Sequence, residues 1–367
     1  KAFGVGTSDG GSVVIGYGTN GGYAPPTEAF RYTSGGGVEN LGYLPGGEAV
    51  ANPASKAWEV SADGSIITGS STNSAGNEEA YRWTSSGGMT GLGYLPGGGT
   101  TSIGWARSSG GSTLMAQSDA WNTRAGRTEA FIWTSGCGMM GLGDLAGGAF
   151  ASVALRSSTD GSVVVGAGST AAGFEAFRWT AGGGMVGLGD LNGGGGGSFA
   201  RGVNADGTVV VGDSMSLTTG AQQGFVWTQD TGMVAMGTLP GFTDHNFWRV
   251  SGDGTAAVGI AVGPTVEAIV WDPVHDTRSL KDVLTTQYGL GSALMGYDLT
   301  DAAGISSDGL TIVGTARATG TTDWFTFSVQ LSQPLAVPLP KTAWLGLALL
   351  GMLIARSGLR RRSGQAA

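Results

Sequence analysis

One six-residue phrase recurs seven times along this 367-residue chain, and this repetition constrains the fold more than any other feature. The clearest copy is Glu175–Thr180, and related copies stand at Glu28–Thr33, Glu79–Thr84, Glu129–Thr134, Gln223–Thr228, Glu267–Asp272 and Asp323–Ser328. The fifth residue of each copy is aromatic: Tyr32, Trp83, Trp133, Trp179, Trp227, Trp271 and Phe327. Successive aromatics are 44 to 56 residues apart, a period typical of architectures in which each repeat is one supersecondary unit.

Each repeat divides into four strand-like pieces, as the fifth copy illustrates. The first piece, Ala200–Asn204, leads to the turn Asp206-Gly207 and then to the apolar run Val209–Val211. The third piece is Gly224–Thr228 and the fourth is Met233–Leu239. An Asp-Gly pair between apolar runs indicates a hairpin, and in a two-residue turn both residues take positive φ. Turns of this kind recur at Asp63-Gly64, Asp160-Gly161, Asp253-Gly254, Asp308-Gly309, Gly10-Gly11 and Gly110-Gly111.

Four antiparallel strands per repeat, repeated seven times, predict an all-β fold: a seven-bladed β-propeller over residues 1–331. The repeated aromatics are expected to fill the space between blades. A β-solenoid is the alternative, but its coils are usually shorter and lack hairpin turns. The insertion Leu280–Gln287 predicts one short helix with Leu280 and Leu284 on the same side.

The seventh repeat ends early. Its third strand is Asp323–Ser328, and no Gly-Gly-Met phrase follows to supply a fourth. The ring should therefore close imperfectly, or through residues outside this sequence. An unpaired strand edge is a template for a strand of another chain, so self-assembly through this open blade edge is an expectation.

Composition narrows the function classes. Glycine accounts for 71 residues, which argues against long helices, while 11 Trp, 8 Tyr and 12 Phe are too many for a solvated coil. A net charge of −8 leaves no basic surface for nucleic acid. Cys137 is the only cysteine, so no intramolecular disulfide forms, and two histidines, His245 and His275, offer little for a metal. No cofactor and no metal site is predicted.

Several residues invite a catalytic interpretation, and each has a simpler structural one. The repeated acids Glu28, Glu79, Glu129, Glu175 and Glu267 are expected to accept N–H groups of neighbouring strands. The turn aspartates are turn formers first, with calcium at an Asp/Gly-rich edge as the alternative, although no EF-hand or nonapeptide spacing is present. Gly193–Gly197 lacks the ending of a phosphate loop, and Asp244, His245 and Ser251 lack a nucleophile elbow. We predict no catalytic residues.

The C-terminal region has a different character. Val337, Pro338, Leu339 and Pro340 lie in a linker over residues 332–341, which precedes an apolar run over residues 342–355. The basic tail, residues 356–367, carries Arg356, Arg360, Arg361 and Arg362. As a helix the run would measure about 21 Å, short of a hydrocarbon core of about 30 Å. We predict a short transmembrane helix with the arginines cytoplasmic, and a buried core helix is the alternative.

Two family resemblances follow from these phrases. Glu175–Thr180, residues 183–191 and Asp160–Gly166 resemble the HAF-repeat extracellular proteins of bacteria, which implies export and a propeller-like repeat domain. The tail resembles a PEP-CTERM sorting signal of the Val-Pro-Leu-Pro type. That implies processing by an exosortase-type membrane protease, an inner-membrane intermediate, and a final place at the surface or in the matrix of a Gram-negative bacterium that makes extracellular polysaccharide.

The functional expectation is a non-enzymatic structural or binding protein of the cell surface or extracellular matrix: a scaffold, adhesin or filament subunit. The alternatives are a glycan-active propeller enzyme and a propeller that binds a glycan or another small ligand at its central channel mouth. Retention of polysaccharide without cleavage would distinguish binding from catalysis.

Overall fold

The computed structural model describes residues 2–8, 11–19, 26–95, 100–107, 113–119, 128–191, 196–216, 219–321, 323–335 and 350–351. The chain forms two compact units, residues Lys1–Ala235 and Met236–Ala367. Each unit consists of antiparallel sheets whose four strands are paired in chain order.

The first unit holds five sheets, and their strands are consecutive in sequence. Sheets one and two are β1 (Ala2–Thr7), β2 (Val13–Thr19), β3 (Thr27–Thr33), β4 (Gly37–Gly42), then β5 (Ser55–Val60), β6 (Ile66–Thr72), β7 (Glu78–Thr84), β8 (Gly88–Gly91). Sheets three and four are β9 (Thr101–Arg107), β10 (Thr113–Asp119), β11 (Glu129–Thr134), β12 (Gly138–Gly141), then β13 (Gly147–Ser157), β14 (Val163–Thr170), β15 (Gly173–Thr180), β16 (Gly184–Gly187). Sheet five is β17 (Ser198–Val203), β18 (Val209–Met215), β19 (Gln222–Thr228) and β20 (Gly232–Ala235). A 3-10 turn, Gly47–Ala49, precedes β5.

The second unit contains a sixth and a last sheet. The sixth is β21 (Asp244–Val250), β22 (Ala257–Val262), β23 (Val266–Asp272) and β24 (Asp276–Ser279). The helix α1 (Leu280–Thr286) follows it, and the last sheet is β25 (Tyr297–Ile305), β26 (Thr311–Ala318), β27 (Trp324–Gln330) and β28 (Leu350–Gly351).

The predicted helix is confirmed within one residue, and it closes the core of this second unit. Ser279 caps α1 by accepting from the N–H of Asp282, the usual role of serine at a helix start. Leu280 and Leu284 are fully buried among apolar side chains of the sixth and last sheets. The insertion in the sixth repeat is thus part of the core.

The blade pattern is observed, but the prediction of seven blades and an apolar C-terminal helix is wrong. Six sheets are complete blades, each built from one continuous stretch of chain, whereas the last has three long strands and a two-residue fourth. That fourth strand, Leu350–Gly351, falls inside the predicted helix over residues 342–355 and is extended. The rest of that range lies outside the described residues. In the described part of the chain α1 is the only α-helix, and no helix is long and apolar enough to cross a membrane.

The hairpin turns differ from the prediction in conformation. Gly64 has a φ of +75°, but Asp63 does not adopt the left-handed conformation. The N–H of Gly64 donates to the carbonyl of Ser61, so Ala62 and Asp63 form a type I turn that the left-handed glycine closes. The prediction of positive φ at both residues was therefore wrong.

In four of the seven sheets a glycine on the second strand admits a buried ring. Gly212 lies opposite Phe225, and a Cβ at Gly212 would overlap the carbonyl oxygen of Phe199 and come within 2.9 Å of the Phe225 ring. The same pairing occurs at Gly69 with Tyr81, Gly166 with Phe177 and Gly314 with Phe327. The third position of the repeated phrase therefore carries the most deeply buried aromatics.

The predicted aromatic column is buried only in part. Trp83, Trp179 and Phe327 are buried, Trp133, Trp227 and Trp271 are half-buried, and Tyr32 is 41% exposed. Phe327 does not belong to this column, because it pairs with Gly314 and so occupies the third position of the phrase. Val329 pairs with Ile312 as Trp227 pairs with Val210, and it is the residue equivalent to the tryptophans.

A buried serine joins consecutive blades of the first unit. Ser198, on β17, accepts from the N–H of Ala176 on β15 and donates to the carbonyl of Gly189 in the connection between them. Ser55, Ser102 and Ser152 make the same two bonds at the three preceding junctions. All four side chains are fully buried. One hydroxyl thus fixes the next blade to the previous one.

Trp179 should be a major contributor to this core. It is 7% exposed and packs with Ala130 and Ile132 of the preceding blade. We expect Trp179→Ala to lower the free energy of unfolding by about 3–5 kcal/mol, measured by urea denaturation. Tyr32→Ala, at the exposed equivalent position, is the control and should cost much less. If the two substitutions lower the free energy of unfolding equally, the fifth-position aromatics have no special role in the packing between blades.

Candidate functional site

The first strand of every blade carries a β-bulge. In β5 the register against β6 shifts between Ala57 and Glu59, which leaves Trp58 as the extra residue. The equivalent shift places Arg201 on the bulge of β17 and Trp248 on that of β21. Bulges commonly re-aim a side chain near functional sites. The bulge position is therefore the first candidate for a functional site.

An aromatic and cationic cluster surrounds the bulge of β5. The rings of Tyr17 and Trp58 meet edge to face with centroids 5.7 Å apart. The ammonium of Lys56 lies 5.8 Å from the Tyr17 centroid and 5.7 Å from that of Trp58, within the range of cation–π attraction. All three side chains are half-buried. We call Tyr17, Lys56 and Trp58 the aromatic cluster.

Polar groups hold the aromatic cluster in place. The indole N–H of Trp58 donates to Ser70 Oγ at 3.4 Å, and Ser70 Oγ donates to a Glu78 carboxylate oxygen at 2.6 Å. Ser70 is buried on β6 and Glu78 begins β7, so the three strands of one blade set the indole orientation. In the described part of the chain, Lys56 Nζ has no carboxylate within ion-pair distance.

An ion pair lies beside the aromatic cluster. Glu59, next to the bulge of β5, approaches Arg156 of β13 with 3.7 Å between carboxylate and guanidinium. The two strands belong to the second and fourth blades, so the first strands converge within the first unit. Burial lowers the pKa of Arg156, and the Glu59 charge opposes that shift.

A second cluster occupies the equivalent place between the fourth and fifth blades. The rings of Phe174 and Phe199 stack with centroids 5.9 Å apart, and the Arg201 guanidinium lies 5.2 Å from the Phe199 centroid. Arg201 also forms an ion pair with the buried carboxylate of Asp213. Burial raises the pKa of Asp213, and the bond and charge of Arg201 oppose that increase. Here the cation is neutralised, unlike Lys56.

The repeated glutamates have the structural role expected of them. The carboxylates of Glu79, Glu129 and Glu175 accept the N–H of Gly93, Gly143 and Gly189, respectively, in the connection to the next blade. A Cβ at Gly91, Gly141 or Gly187 would overlap those carboxylates. In the first blade Asn40 fills that position and donates to Glu28 instead. These acids are consequently not paired for acid–base chemistry.

The turn aspartates bond to their own turns. Asp63 accepts from Ser61 Oγ and from the N–H and hydroxyl of Ser65, and these bonds lower its pKa to about 2. The same bonding lowers the pKa of Asp160, Asp206 and Asp308. Among the described residues no group of three or more His, Cys, Asp or Glu side chains could hold a metal ion.

The other candidates have partners of their own. His245 is buried and its Nε2 accepts from the N–H of Leu239, while Ser251 Oγ donates to Asp253. His275 bonds to the buried Asp272. Cys137 is exposed in a hairpin turn. Gly193–Gly195, the sorting motif Val337, Pro338, Leu339 and Pro340, and the basic residues Arg356, Arg360, Arg361 and Arg362 lie outside the described residues.

The aromatic cluster was missed at the sequence level, although a signal for it exists. The bulge residue stands five positions before the first residue of each hairpin turn: Val5, Trp58, Trp105, Leu155, Arg201, Trp248 and Ala303. Three of the seven residues in this column are tryptophans, and this recurrence at a fixed distance from the turn is the signal.

Comparisons with known proteins support the fold alone. No protein-family model and no curated protein matches the sequence. Among solved structures the chain is similar to a prolyl endopeptidase (TM-score 0.60, 13% identity, 95% of this chain and 49% of that one). It is also similar to the β-propeller domain of the Trilobed protease from Pyrococcus furiosus (TM-score 0.54, 9% identity, 89% and 95%). A third similarity is to TolB from Acinetobacter baumannii (TM-score 0.46, 13% identity, 74% and 63%), less than two thirds of whose length the chain spans.

The glutamate–glycine pair can be tested by a double-mutant cycle. Gly187→Ala should lower the free energy of unfolding by about 1–3 kcal/mol, because the methyl group displaces the Glu175 carboxylate from the Gly189 N–H. In a Glu175→Ala background the same change should cost little. Gly182→Ala, in open space on the same hairpin, is the control and should change stability by less than about 0.5 kcal/mol. Additive costs in urea denaturation would refute the coupling.

Proposed function

We propose that this chain is a non-enzymatic binding propeller of the bacterial cell surface, and that its aromatic cluster binds an acidic glycan. The observation that carries the proposal is Lys56 on β5, whose ammonium lies within 6 Å of the ring centroids of both Tyr17 on β2 and Trp58 on β5. The repeats form the scaffold, and the bulge presents the ligand-binding side chains.

The rings account for affinity toward a sugar. Tyr17 and Trp58 are half-buried, so each keeps accessible ring surface while its position is fixed. Rigid aromatic side chains with a few placed polar groups are typical of ligand sites. Glu78, Ser70 and the Trp58 indole form a chain of hydrogen bonds that pre-orients the larger ring and so reduces the entropy lost on binding.

The charge of Lys56 accounts for the preference for an acid. The ammonium contacts two rings, and in the described part of the chain no carboxylate neutralises it. A uronate or a similar acidic sugar would supply the missing counter-charge while its ring packs against Trp58. The neighbouring Glu59 is already paired with Arg156, which limits its repulsion of an anion.

A glycan-active enzyme is the second candidate, and the side chains favour it less. Three of the repeated carboxylates that could form an acid–base pair, Glu79, Glu129 and Glu175, are each bonded to a backbone N–H in the connection to the next blade. Glycoside hydrolysis needs two carboxyl groups facing one bond. Binding without cleavage agrees better with this arrangement.

Binding can be measured by titration calorimetry with two probes, a galacturonate hexasaccharide and a neutral glucose hexasaccharide. We expect Trp58→Ala to weaken binding of the acidic probe at least about tenfold, or about 1.4 kcal/mol. Lys56→Gln should remove most of the preference for the acidic probe. Trp324→Ala, which removes a 52% exposed tryptophan from β27, is the control and should leave binding unchanged.

Three results decide between the candidates. Binding of both probes with equal affinity would contradict the role of Lys56, and binding of neither would overturn the assignment of a glycan. Shortened hexasaccharide in the recovered mixture would favour the enzyme.

The surface location is a separate part of the proposal. It is supported by the resemblance of the repeats to HAF-repeat proteins and of the tail to a PEP-CTERM signal, with an exosortase-type protease cutting near Val337–Pro340. Intact-mass analysis of protein recovered outside its native cells should find Arg360–Ala367 removed. Material that still ends in those residues would refute a removable sorting tail.

A further inference from the structure

A carboxylate in the second unit has an oxygen without a hydrogen-bond partner. Asp301 is half-buried on β25, and it accepts a hydrogen bond from the indole of Trp248 on β21, the first strand of the preceding sheet. Asp301 Oδ1 is shielded from solvent and accepts no hydrogen bond from any described residue. Buried acceptors are nearly always paired, because an unpaired one costs its desolvation energy. The fold itself therefore leaves this oxygen unsatisfied.

A second unpaired oxygen lies on the neighbouring strand. Asn246 is 6% exposed and stands two positions before Trp248, and its Oδ1 also has no partner among the described residues. The strands β21 and β25 contact each other. Asn246 and Asp301 are each followed by the partner of a second-strand glycine, as Lys56 is in β5. The position that carries a cation in the second blade therefore carries acceptor oxygens in the sixth and last sheets.

These oxygens and the indole define the chemistry of a ligand. Burial raises the pKa of Asp301 and the Trp248 hydrogen bond opposes that increase, so a positive charge beside the carboxylate would stabilise its ionised form. A cation with N–H groups would bond the oxygens and lie against the indole ring. A calcium ion takes about six or more oxygens, and no group of three acids, histidines or cysteines occurs among the described residues. An organic ammonium therefore fits the site better than a metal ion.

The neighbouring cations of the second unit are bonded to other groups. Arg249 directly follows Trp248, and its Nη1 donates to the Trp248 carbonyl at 2.9 Å. Lys281 Nζ lies 3.4 Å from a carboxylate oxygen of Asp298, which precedes Asp301 by three residues on the same strand. The counter-charge for Asp301 is thus left to a ligand.

We propose that Asp301, Asn246 and Trp248 form a second binding site, which takes the protonated amine of an amino sugar. The carboxylate supplies the counter-charge and the amide oxygen supplies a second acceptor. The half-buried indole offers an apolar surface to the sugar ring. The site shares no residue with the aromatic cluster, so the inference does not rest on acidic-glycan binding by Lys56.

The indole N–H signal of Trp248 in nitrogen–proton NMR of the full-length protein reports on this site, and Trp248→Phe assigns that signal. The probes are methyl glucosaminide, in weakly acidic buffer that keeps its amine protonated, and the neutral methyl N-acetylglucosaminide. We expect the first probe to shift the signal to saturation and the second to leave it in place. Asp301→Asn, which keeps the shape of the side chain, should weaken binding of the amine at least about tenfold.

Asp298→Asn is the matched control, because it removes an acid of the same strand that is already paired with Lys281, and it should leave amine binding unchanged. Asp301→Asn should also leave binding of the galacturonate hexasaccharide unchanged, which separates this site from the aromatic cluster.

Three results would overturn the site: no shift of the Trp248 signal, equal affinity for the two glycosides, or amine binding that survives Asp301→Asn. The first two are measured on the unaltered protein and do not depend on the folding of a variant. Equal affinity for Nα-acetyl-lysine methylamide would overturn the assignment to a sugar.

Discussion

The fold of the first unit depends on one repeated hydroxyl. A blade buries its faces only against its neighbours, so the junction between blades has to be specified as well as the blade. The serine at the start of each first strand does this by bonding both the preceding blade and the connection that leaves it. Because the hydroxyl is fully buried, its removal would leave one N–H and one carbonyl without a hydrogen-bond partner. Each unpaired group would lower the free energy of unfolding by about 1–3 kcal/mol. The glutamate beside it bonds the same connection, at Gly189 in the fourth blade.

Strand number and order within a repeat could be predicted from the sequence, because they follow from turn chemistry and alternation. The helix after the sixth blade was predictable for the same reason: Ser279 and the spacing of Leu280 and Leu284 are local signals. The register of the last repeat could not be predicted from the sequence. Its phrase has drifted to Trp-Phe-Thr-Phe-Ser-Val, and only the pairing of Phe327 with Gly314 reveals which aromatic is equivalent. The fourth strand of that sheet comes from residues far along the chain, a non-local pairing that no short pattern encodes.

The candidate site was missed in the sequence for a different reason. The positions that recur between repeats are the ones that maintain the scaffold. The glutamates form hydrogen bonds to the connections between blades, the aspartates form hydrogen bonds within their turns, and the glycines leave room for aromatic rings. Trp58 stands at a position that is tryptophan in two other repeats and valine, leucine, arginine or alanine in the remaining four. Its importance depends on a bulge, which the register of two strands creates and which the residues themselves do not indicate.

The separation of scaffold positions from bulge positions limits where a repeat protein of this kind can acquire function. A substitution at Ser198, Glu175 or Gly212 disturbs a bond or a close approach that the blade requires. A substitution at the bulge leaves the strand ladder itself unchanged, because the backbone there is already displaced from the ladder. The two clusters of the first unit illustrate the range: the same position carries a tryptophan beside an uncompensated lysine in one blade, and an arginine neutralised by a buried aspartate in another. The side chains at the bulge can therefore differ from blade to blade while the bonds between blades stay the same.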